Sequence, residues 1–174
     1  MKDHLPVASE RLILRRLHAS DADAFHAYRR DPEVAKYQGW DPMSEEESQA
    51  FLEEKGQGAF FQPNEWFQLG IALGDTDILI GDIGVCINES GASAEIGYSV
   101  NRQYQGQGYG TEAVHLATRY LFSNTGIEEI VAVTDARNLP SRRMLENLGM
   151  ALRETQKAEY KGEICDEHIF VMKR

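Results

Sequence analysis

The chain has 174 residues, of which 42% are hydrophobic and 26% charged, and its formal net charge is −10. These values are typical of a globular protein, so we expect residues 1–174 to form a single domain. The negative charge argues against non-specific binding to nucleic acid or to an anionic membrane and is compatible with a cationic substrate. Neither a signal peptide nor an apolar run of membrane-spanning length is evident, so a cytoplasmic location is expected.

The two cysteines, Cys86 and Cys165, lie far apart in apparent strands. Their spacing suggests neither a disulfide framework nor a metal site. They also lack an evident His partner, which disfavours a covalent enzyme intermediate.

The first half of the chain predicts one strand, two helices and then an antiparallel meander. Alternating apolar residues indicate a strand over Arg11–Leu17. Ser20 is a candidate N-cap for an amphipathic helix, and Ser44 with Glu47 fits a capping box for a second helix that continues to about Lys55. Three strands joined by short turns follow, at Trp66–Leu73, at Ile78–Ile87 and from near Ala94 to Val100.

The second half predicts a change of strand direction. A helix from about Gly108 to Asn124 leads into the apolar strand Ile130–Thr134, which this connection places parallel to the preceding strand. Asn138 caps a further helix that ends at Gly149. Two closing strands are expected near Met150–Tyr160 and Ile164–Met172. The predicted fold is a mixed α/β (α+β) domain with a mostly antiparallel, twisted sheet of about seven strands flanked by helices.

A glycine-rich loop joins the central strand to the helix after it. Gly106, Gly108 and Gly110 occupy alternate positions at the start of this helix. Glycines let the backbone approach a ligand closely, and the free N–H groups of the first helical turn attract negative charge. A diphosphate is therefore the expected occupant. The loop is not a Walker A motif, because no Lys-Ser/Thr pair ends it.

A dinucleotide-binding loop is a second interpretation of the same glycines. Gly108-Tyr-Gly-Thr-Glu-Ala113 matches the pattern G-x-G-x-x-A, and Glu128 and Glu129 follow roughly 20 residues later. In that fingerprint the first glycine directly follows a strand, whereas here Asn101–Gln107 intervene and antiparallel strands come first. The sequence therefore disfavours this interpretation.

Three segments match the motifs of one enzyme superfamily in the right order. Gln105-Gly-Gln-Gly-Tyr-Gly110 fits a Q/R-x-x-G-x-G/A pyrophosphate loop, and Asn138-Leu-Pro-Ser141 fits a second family segment. On these motifs, and over nearly its whole length, the chain resembles the GNAT superfamily of acyl-CoA-dependent N-acetyltransferases. The opening Glu10–Leu17 and Asp31-Pro-Glu-Val34 are similar to the branch of ribosomal-protein N-terminal acetyltransferases (RimJ/RimL-like).

The resemblance implies that an acetyl group moves from acetyl-CoA to a primary amine by direct attack, without a metal. The amine would belong to a protein N-terminus or a small molecule, and a homodimer is the family-level expectation. Pantetheine would lie where the central strand splays from Ile130–Thr134, against the strand edge near Tyr98 and Val100, where one N–H would meet the oxyanion. The diphosphate would take N–H groups from Gln105, Gly106, Gln107, Gly108, Tyr109, Gly110 and Thr111.

Two side chains are candidates for the chemistry. Glu95 is the candidate base, because burial beside an apolar sheet raises the pKa of a carboxyl group. Its alternative role is that of an exposed strand residue, since water suffices to deprotonate an amine with a pKa of about 8. Ser141 is either the hydrogen-bond donor to the departing sulfur or only a first-turn residue. Asn138 caps the helix, and in the resembling family it also contacts pantetheine.

The chain departs from a common family pattern at Leu145. Many members have a tyrosine acid at this position, four residues beyond Ser141, so Ser141 or water must protonate the thiolate here. A non-catalytic CoA-binding sensor or regulatory module therefore stays an alternative, and a dinucleotide-dependent oxidoreductase is a weaker one.

The acceptor is expected between Tyr37–Trp40 and the closing hairpin. Trp40, Phe60, Phe61 and Trp66 are candidate lining residues, although such aromatics are more often part of a core. Asp166 is a candidate contact for a cationic acceptor, or else a surface residue.

Three charged residues near the glycine loop have competing roles. Glu112 is expected to stabilise the N-terminal turn of its helix. Arg142 and Arg143 are candidates for the ribose phosphate of the coenzyme, or else solvated side chains.

Overall fold

The computed structural model describes residues 3–56 and 58–174, and its strands form one eight-stranded sheet. The strands are β1 (Val7–Ala8), β2 (Leu12–Arg16), β3 (Trp66–Leu73), β4 (Leu79–Ile87), β5 (Ser93–Val100), β6 (Glu129–Asp135), β7 (Ala151–Tyr160) and β8 (Glu163–Lys173). The α-helices are α1 (Ala22–Arg29), α2 (Pro32–Ala35), α3 (Glu45–Gly56), α4 (Tyr109–Asn124) and α5 (Leu139–Asn147). The sheet order is β1-β2-β3-β4-β5-β6-β8-β7.

The predicted mixed α/β fold with a mostly antiparallel sheet is confirmed. β5 and β6 pair in parallel, and the other neighbouring strands pair antiparallel. All seven expected strands are present. The eighth, β1, was not predicted, because two residues are too few to show a period of two.

Local capping signals give the start of two helices correctly. The Glu47 N–H donates to Ser44 Oγ at 3.2 Å, and the Ser44 N–H donates to Glu47 Oε2 at 2.7 Å, which is the expected capping box. Asn138 Oδ1 accepts the Ser141 N–H at 3.3 Å and so caps α5.

The predicted N-cap at Ser20 is wrong. Ser20 lies inside a short 3₁₀ turn, Ala19–Asp21, that precedes α1. The Asp21 carboxylate accepts a hydrogen bond from the His18 N–H at 2.7 Å and forms a buried ion pair with Arg15 at 2.8 Å. The contact between His18 and Asp21, three residues apart, and the ion pair with Arg15 on β2 therefore set the start of this helix together.

Helices cover both faces of the sheet. On one face α4 packs Val114, Ala117 and Leu121 against the sheet, where Ile96 and Ile130 are also buried. On the other face α1 and α3 enclose a smaller core that contains Phe25, Tyr28, Leu52 and Leu79. Within residues 3–56 and 58–174, no helix is both long and apolar enough to cross a bilayer.

β5 and β6 diverge halfway along their length. Their parallel pairing runs from Ser93 opposite Glu129 to Ile96 opposite Ala132. Beyond that point β5 stays paired with β4 as far as Val100, while β6 stays paired with β8. The edge of β5 from residue 97 to residue 100 therefore faces a gap in the sheet, as the resemblance implies.

Candidate functional site

Two cavities meet at this gap. The loop-side cavity, about 700 Å³, lies beside the glycine loop and the start of α5. The hairpin-side cavity, about 580 Å³, lies between α1, α3 and the β7–β8 hairpin. The residues that line both are Tyr37, Gln38, Tyr98 and Ser99. Both cavities have the size of small-molecule sites, and molecules held in them would meet at the splayed end of β5.

The loop-side cavity collects most of the residues predicted to bind the cofactor. Those that line it are Tyr98, Val100, Gln105, Gly106, Gly108, Gly110, Thr111, Asn138 and Ser141. Gln107 and Tyr109 do not line it. Arg11 accounts for their orientation: its Nη1 donates to the Gln107 carbonyl at 3.1 Å, and its guanidinium lies 4.5 Å from the centre of the Tyr109 ring. These two residues offer a ligand only their main-chain N–H groups.

The glycine loop presents a row of N–H groups. Gly106 and Gly108 have φ angles of +74° and +82°, in the left-handed region that favours glycine. The Glu112 N–H makes the first helical bond, to the Gly108 carbonyl at 3.0 Å, so the preceding N–H groups have no partner within α4. The main-chain donor predicted at Gln105 is wrong, because its N–H is bonded to the Arg102 carbonyl at 3.2 Å. The row therefore begins at Gly106.

Glu112 has a wider role than the predicted one. It accepts hydrogen bonds from Ser9 Oγ at 2.7 Å and from the Arg11 N–H at 3.0 Å, and it pairs with the Arg11 guanidinium. Burial alone would raise the pKa of Glu112, but the hydrogen bonds from Ser9 and Arg11 lower it overall. Glu112 thus joins the β1–β2 turn to the helix that carries the glycine loop.

The free edge of β5 is polar and partly occupied. Gln38 Nε2 donates to the Tyr98 carbonyl at 3.1 Å, and Gln105 Nε2 donates to the Val100 carbonyl at 2.8 Å. In a strand the N–H of a residue points to the same side as its carbonyl, so the N–H groups of Tyr98 and Val100 also face the gap. They can hydrogen-bond an extended ligand as an added strand would.

Tyr98 and Ser141 form a hydroxyl pair beside the gap. The two hydroxyl oxygens are 2.8 Å apart and join β5 to the first turn of α5. Burial raises the pKa of Tyr98 to about 12, although the hydrogen bond with Ser141 lowers it in part. Leu145, at the position of the family tyrosine, is fully buried in the core. Tyr98 lies on β5, 43 residues from Ser141 in sequence, so the spacing of residues along α5 could not indicate this contact.

The cations of the loop-side cavity are not the predicted ones. Neither Arg142 nor Arg143 lines it, and Arg142 Nη1 donates to the Ala136 carbonyl at 3.0 Å. Lys36 and Arg137 line it instead. Because Arg137 is already paired with Asp135 at 2.7 Å, Lys36 is the better placed of the two to add positive charge to the cavity.

The hairpin-side cavity contains Glu95 and a second carboxylate, that of Glu167 on β8. Glu95 remains accessible to solvent at the cavity. Partial burial raises the pKa of Glu95, and the negative charge of Glu167 adds to the rise. Asp166 does not line the cavity and pairs with Lys157 at 2.8 Å. Neighbouring residues on a strand face opposite sides, so choosing between Asp166 and Glu167 requires the strand register.

Aromatic side chains form the opposite wall of this cavity. Of the predicted lining residues Trp40 and Trp66 are present, together with Tyr37 and Tyr160, which were not singled out as lining residues. Phe60 and Phe61 take the alternative role, that of core residues. Their rings pack on each other and on Phe67, with centroid distances of 4.4, 5.3 and 5.0 Å, and so belong to a core cluster.

The tip of the β7–β8 hairpin binds the segment after α2. The Tyr160 hydroxyl donates to the Gln38 carbonyl. Lys161 Nζ donates to the carbonyls of Ala35 at 3.0 Å and Trp40 at 2.9 Å, and it pairs with Asp41 at 3.1 Å. These contacts close one side of the hairpin-side cavity.

A splayed sheet, a glycine loop at a helix N-terminus and a second cavity across the gap are the parts that an acyl-CoA-dependent transferase needs. Residues 11–151 match the model of the acetyltransferase (GNAT) domain. The chain is 33% identical to the uncharacterized N-acetyltransferase p20 of Bacillus licheniformis, over 93% of this chain and 92% of that protein. The chain therefore belongs to the GNAT acetyltransferase family, whose acyl donor is acetyl-CoA.

Solved structures share the fold over nearly the full chain. An acetyltransferase of the GNAT family from Bacillus anthracis superposes with a TM-score of 0.87 at 25% identity, covering 97% of this chain and 98% of that one. A structure described as a putative ribosomal-protein-serine acetyltransferase from Vibrio cholerae has a TM-score of 0.81 at 22% identity, over 100% of both chains. At that identity the second likeness concerns the fold alone.

Proposed function

We propose that this protein transfers the acetyl group of acetyl-CoA to a primary amine in the hairpin-side cavity, by direct attack of the amine on the thioester. The observation that carries the proposal is the meeting of the two cavities at Tyr98 and Ser99. The glycine loop lies at one end of this path and Glu95 in the other cavity. The coenzyme, the thioester and the amine thus each meet residues of suitable chemistry along one continuous path.

The loop-side cavity fits acetyl-CoA. The N–H groups from Gly106 to Thr111 bind the diphosphate at the positive end of the α4 dipole, and Lys36 adds positive charge nearby. Pantetheine runs along the free edge of β5, where the N–H groups of Tyr98 and Val100 are its donors. Of these two N–H groups, the one nearer the thioester also stabilises the oxyanion that develops when the amine attacks.

Glu95 is the base of the proposed reaction. An incoming ammonium must lose a proton before it can attack, and the raised pKa of Glu95 makes this carboxylate a better acceptor than an exposed glutamate. The side chains of Glu95 and Tyr98 point to opposite faces of β5, because the two residues are three positions apart on the strand. We therefore assign the proton transfer to Glu95 through bound water.

Ser141 donates a hydrogen bond to the departing sulfur, and Tyr98 donates one to Ser141 Oγ; both hydroxyls keep their protons, and the CoA thiolate takes its proton from solvent. Because the pKa of Tyr98 is about 12, its hydroxyl is protonated at neutral pH and can donate to Ser141 Oγ, 2.8 Å away. A thiol with a pKa of about 8.5 is already a fair leaving group, so this help is modest.

The test is release of CoA from acetyl-CoA in the presence of small amines and of peptides with free N-termini. Acetylated amine, detected by mass spectrometry in step with thiol release, is the expected result. Calorimetry on the same protein measures CoA binding separately. Tight CoA binding without acetylation of any amine or peptide would overturn the catalytic proposal and favour a sensor.

A further inference from the structure

Acidic residues on four adjacent strands line the hairpin-side cavity: Asp82 on β4, Glu95 on β5, Asp135 on β6 and Glu167 on β8. Glu95 lies opposite Val131 in the β5–β6 register, and Asp135 lies opposite Glu167 in the β6–β8 register. Residues 131 and 135 of β6 point to the same face, because side chains alternate along a strand. Glu95, Asp135 and Glu167 therefore share one face, and all three line the cavity.

Other acidic residues of the cavity are already neutralised. The Arg137 guanidinium, 2.7 Å from Asp135, lowers the pKa of that carboxyl group. Asp82, at the buried end of the cavity, is paired with Arg29. These two carboxylates therefore add little net charge to the cavity.

Glu95 and Glu167 differ from these residues in having no such neutralising partner. Within residues 3–56 and 58–174, no lysine, arginine or histidine nitrogen lies within 4.0 Å of either carboxylate. The Glu167 carboxylate accepts a hydrogen bond from Gln156 Nε2 at 3.2 Å, a neutral donor that orients it. Lys55 also lines the cavity, but its ammonium is 2.7 Å from Glu54. The cavity thus holds two carboxylates that have no ion-pair partner among the described residues and that remain open to solvent and to a ligand.

The walls around the two carboxylates suit an organic cation. Trp66 lines the cavity with a partly exposed indole, and aromatic rings attract ammonium groups, whereas the Trp40 ring already has the Arg29 guanidinium 4.4 Å from its centre. Gly84 and Gly97 lie opposite each other on β4 and β5 and leave the floor between these side chains without a Cβ. A Cβ at Gly84 would lie only 3.0 Å from the Trp66 ring, so glycine there lets the indole lie flat against the strand.

We infer that the acceptor is a small molecule with two cationic centres, one of which is the primary amine that is acetylated. This inference rests on the proposed function. The reacting amine lies between the gap at Tyr98 and Glu95, which takes its proton through bound water, and the second cationic centre is held by Glu167 and the Trp66 indole. A monocation would leave one of the two carboxylates without a counter-charge, whereas a dication balances both. The hairpin contacts of Tyr160 and Lys161 close one side of the cavity and favour a short molecule over a protein segment.

The test compares three amines of similar length: 1,4-diaminobutane, n-butylamine and 4-aminobutanoate. We expect kcat/KM for the diamine to exceed that for n-butylamine by about 10- to 100-fold, which is what one charge-assisted hydrogen bond gives. The amino acid, whose second group is negative, should be the poorest acceptor. Glu167→Gln should remove most of the preference for the diamine, while Glu159→Gln, an exposed glutamate on β7, should preserve it.

Two results would overturn the inference without touching the proposed function. One is acetylation of n-butylamine and the diamine with equal kcat/KM. The other is a Glu167→Gln protein that loses activity toward both amines to the same extent. Calorimetric binding of 1,4-diaminobutane to the CoA-saturated protein gives a readout that does not need turnover. Absence of measurable heat for the diamine would also reject the inference, whereas failure to acetylate any amine would reject the proposed function.

Discussion

Glu95 combines partial burial with a neighbouring negative charge, and both raise the pKa of its carboxyl group. A base acts only in its deprotonated form, so we expect kcat/KM to rise with pH through this raised pKa. Glu95→Gln should abolish that rise and lower kcat/KM by about 100-fold or more, the usual contribution of a positioned base. The pH–rate profiles of both proteins provide the measurement. Identical profiles would mean that water alone takes the proton.

A second variant separates the cause of the pKa shift from the identity of the base. Glu167→Gln removes the like charge, so the pKa of Glu95 should fall and the rise in kcat/KM should move to lower pH. The other titratable group facing Glu95 is Cys86, opposite it on β4. Burial and the charge of Glu95 raise the pKa of the Cys86 thiol, so it stays neutral and does not produce this limb.

Tyr98 and Ser141 should act as a unit. Tyr98→Phe removes one hydroxyl and keeps the ring, and we expect kcat to fall by about three- to tenfold with little change in KM for acetyl-CoA. Ser141→Ala should have at least that effect, and the double variant should be no slower than Ser141→Ala alone, because Tyr98 acts through Ser141. Tyr104→Phe, in the same cavity, is the matched control. Additive losses in kcat would refute this coupling.

At the scale of whole elements, Glu112 fixes α4 to the β1–β2 turn. Glu112→Gln should lower the free energy of unfolding by about 1 kcal/mol at pH 7, since hydrogen bonds to a charged acceptor are replaced by weaker ones and Arg11 is partly screened by solvent. The folded state lowers the pKa of Glu112, so its stabilising effect exists above the unfolded pKa and is lost as pH falls through the folded pKa. Denaturant unfolding at pH 7 and below pH 4, with the exposed Glu128→Gln as control, measures this. A difference that persists undiminished in acid would contradict the assignment.

Some elements of the fold are determined by short-range sequence signals, and others by contacts with distant segments. The capping box of Ser44 and Glu47, the Asn138 cap and the glycine loop depend on residues within a few positions of one another, and the sequence predicted them. The sequence also predicted the strand–helix–strand unit. Ser20 failed as a cap because Asp21 engages Arg15, on a neighbouring strand, together with the N–H of His18. β1 was not predicted, because its pairing with β2 makes it a strand and its own residue pattern does not indicate one.

The candidate site was predictable only in part for the same reason. The loop residues and Asn138 lie in contiguous motifs, so their positions at the loop-side cavity followed from the sequence. The Tyr98–Ser141 contact joins two distant segments, and Glu167 takes the place expected for Asp166 through the register of β8. Both depend on how strands pair, and a shift of one residue in that pairing reverses every side chain.

At the scale of the whole molecule, the sheet separates the two substrates of the proposed reaction, which meet at one gap. The glycine-loop end of the loop-side cavity is built from α4, α5 and β5, while the hairpin-side cavity depends on contacts between the β7–β8 hairpin and the segment after α2. Tyr37 and Gln38 of this segment line both cavities. A change at the hairpin tip should therefore affect binding of the amine more than binding of the coenzyme.

Lys161 offers the sharpest test of this separation. Its ammonium holds the carbonyls of Ala35 and Trp40 and pairs with Asp41. Lys161→Met keeps the aliphatic stem and removes these bonds, so the wall formed by Trp40 should loosen and KM for the amine should rise by about tenfold, equivalent to about 1.4 kcal/mol. Because Tyr37 and Gln38 also line the loop-side cavity, calorimetry should give a Kd for CoA that rises by much less than KM for the amine. Lys157→Met removes an exposed ion pair with Asp166 on the same hairpin and should change neither constant. If Lys161→Met weakened CoA binding as strongly as it raised KM for the amine, the two cavities would not be independent, and the hairpin would act on the fold as a whole.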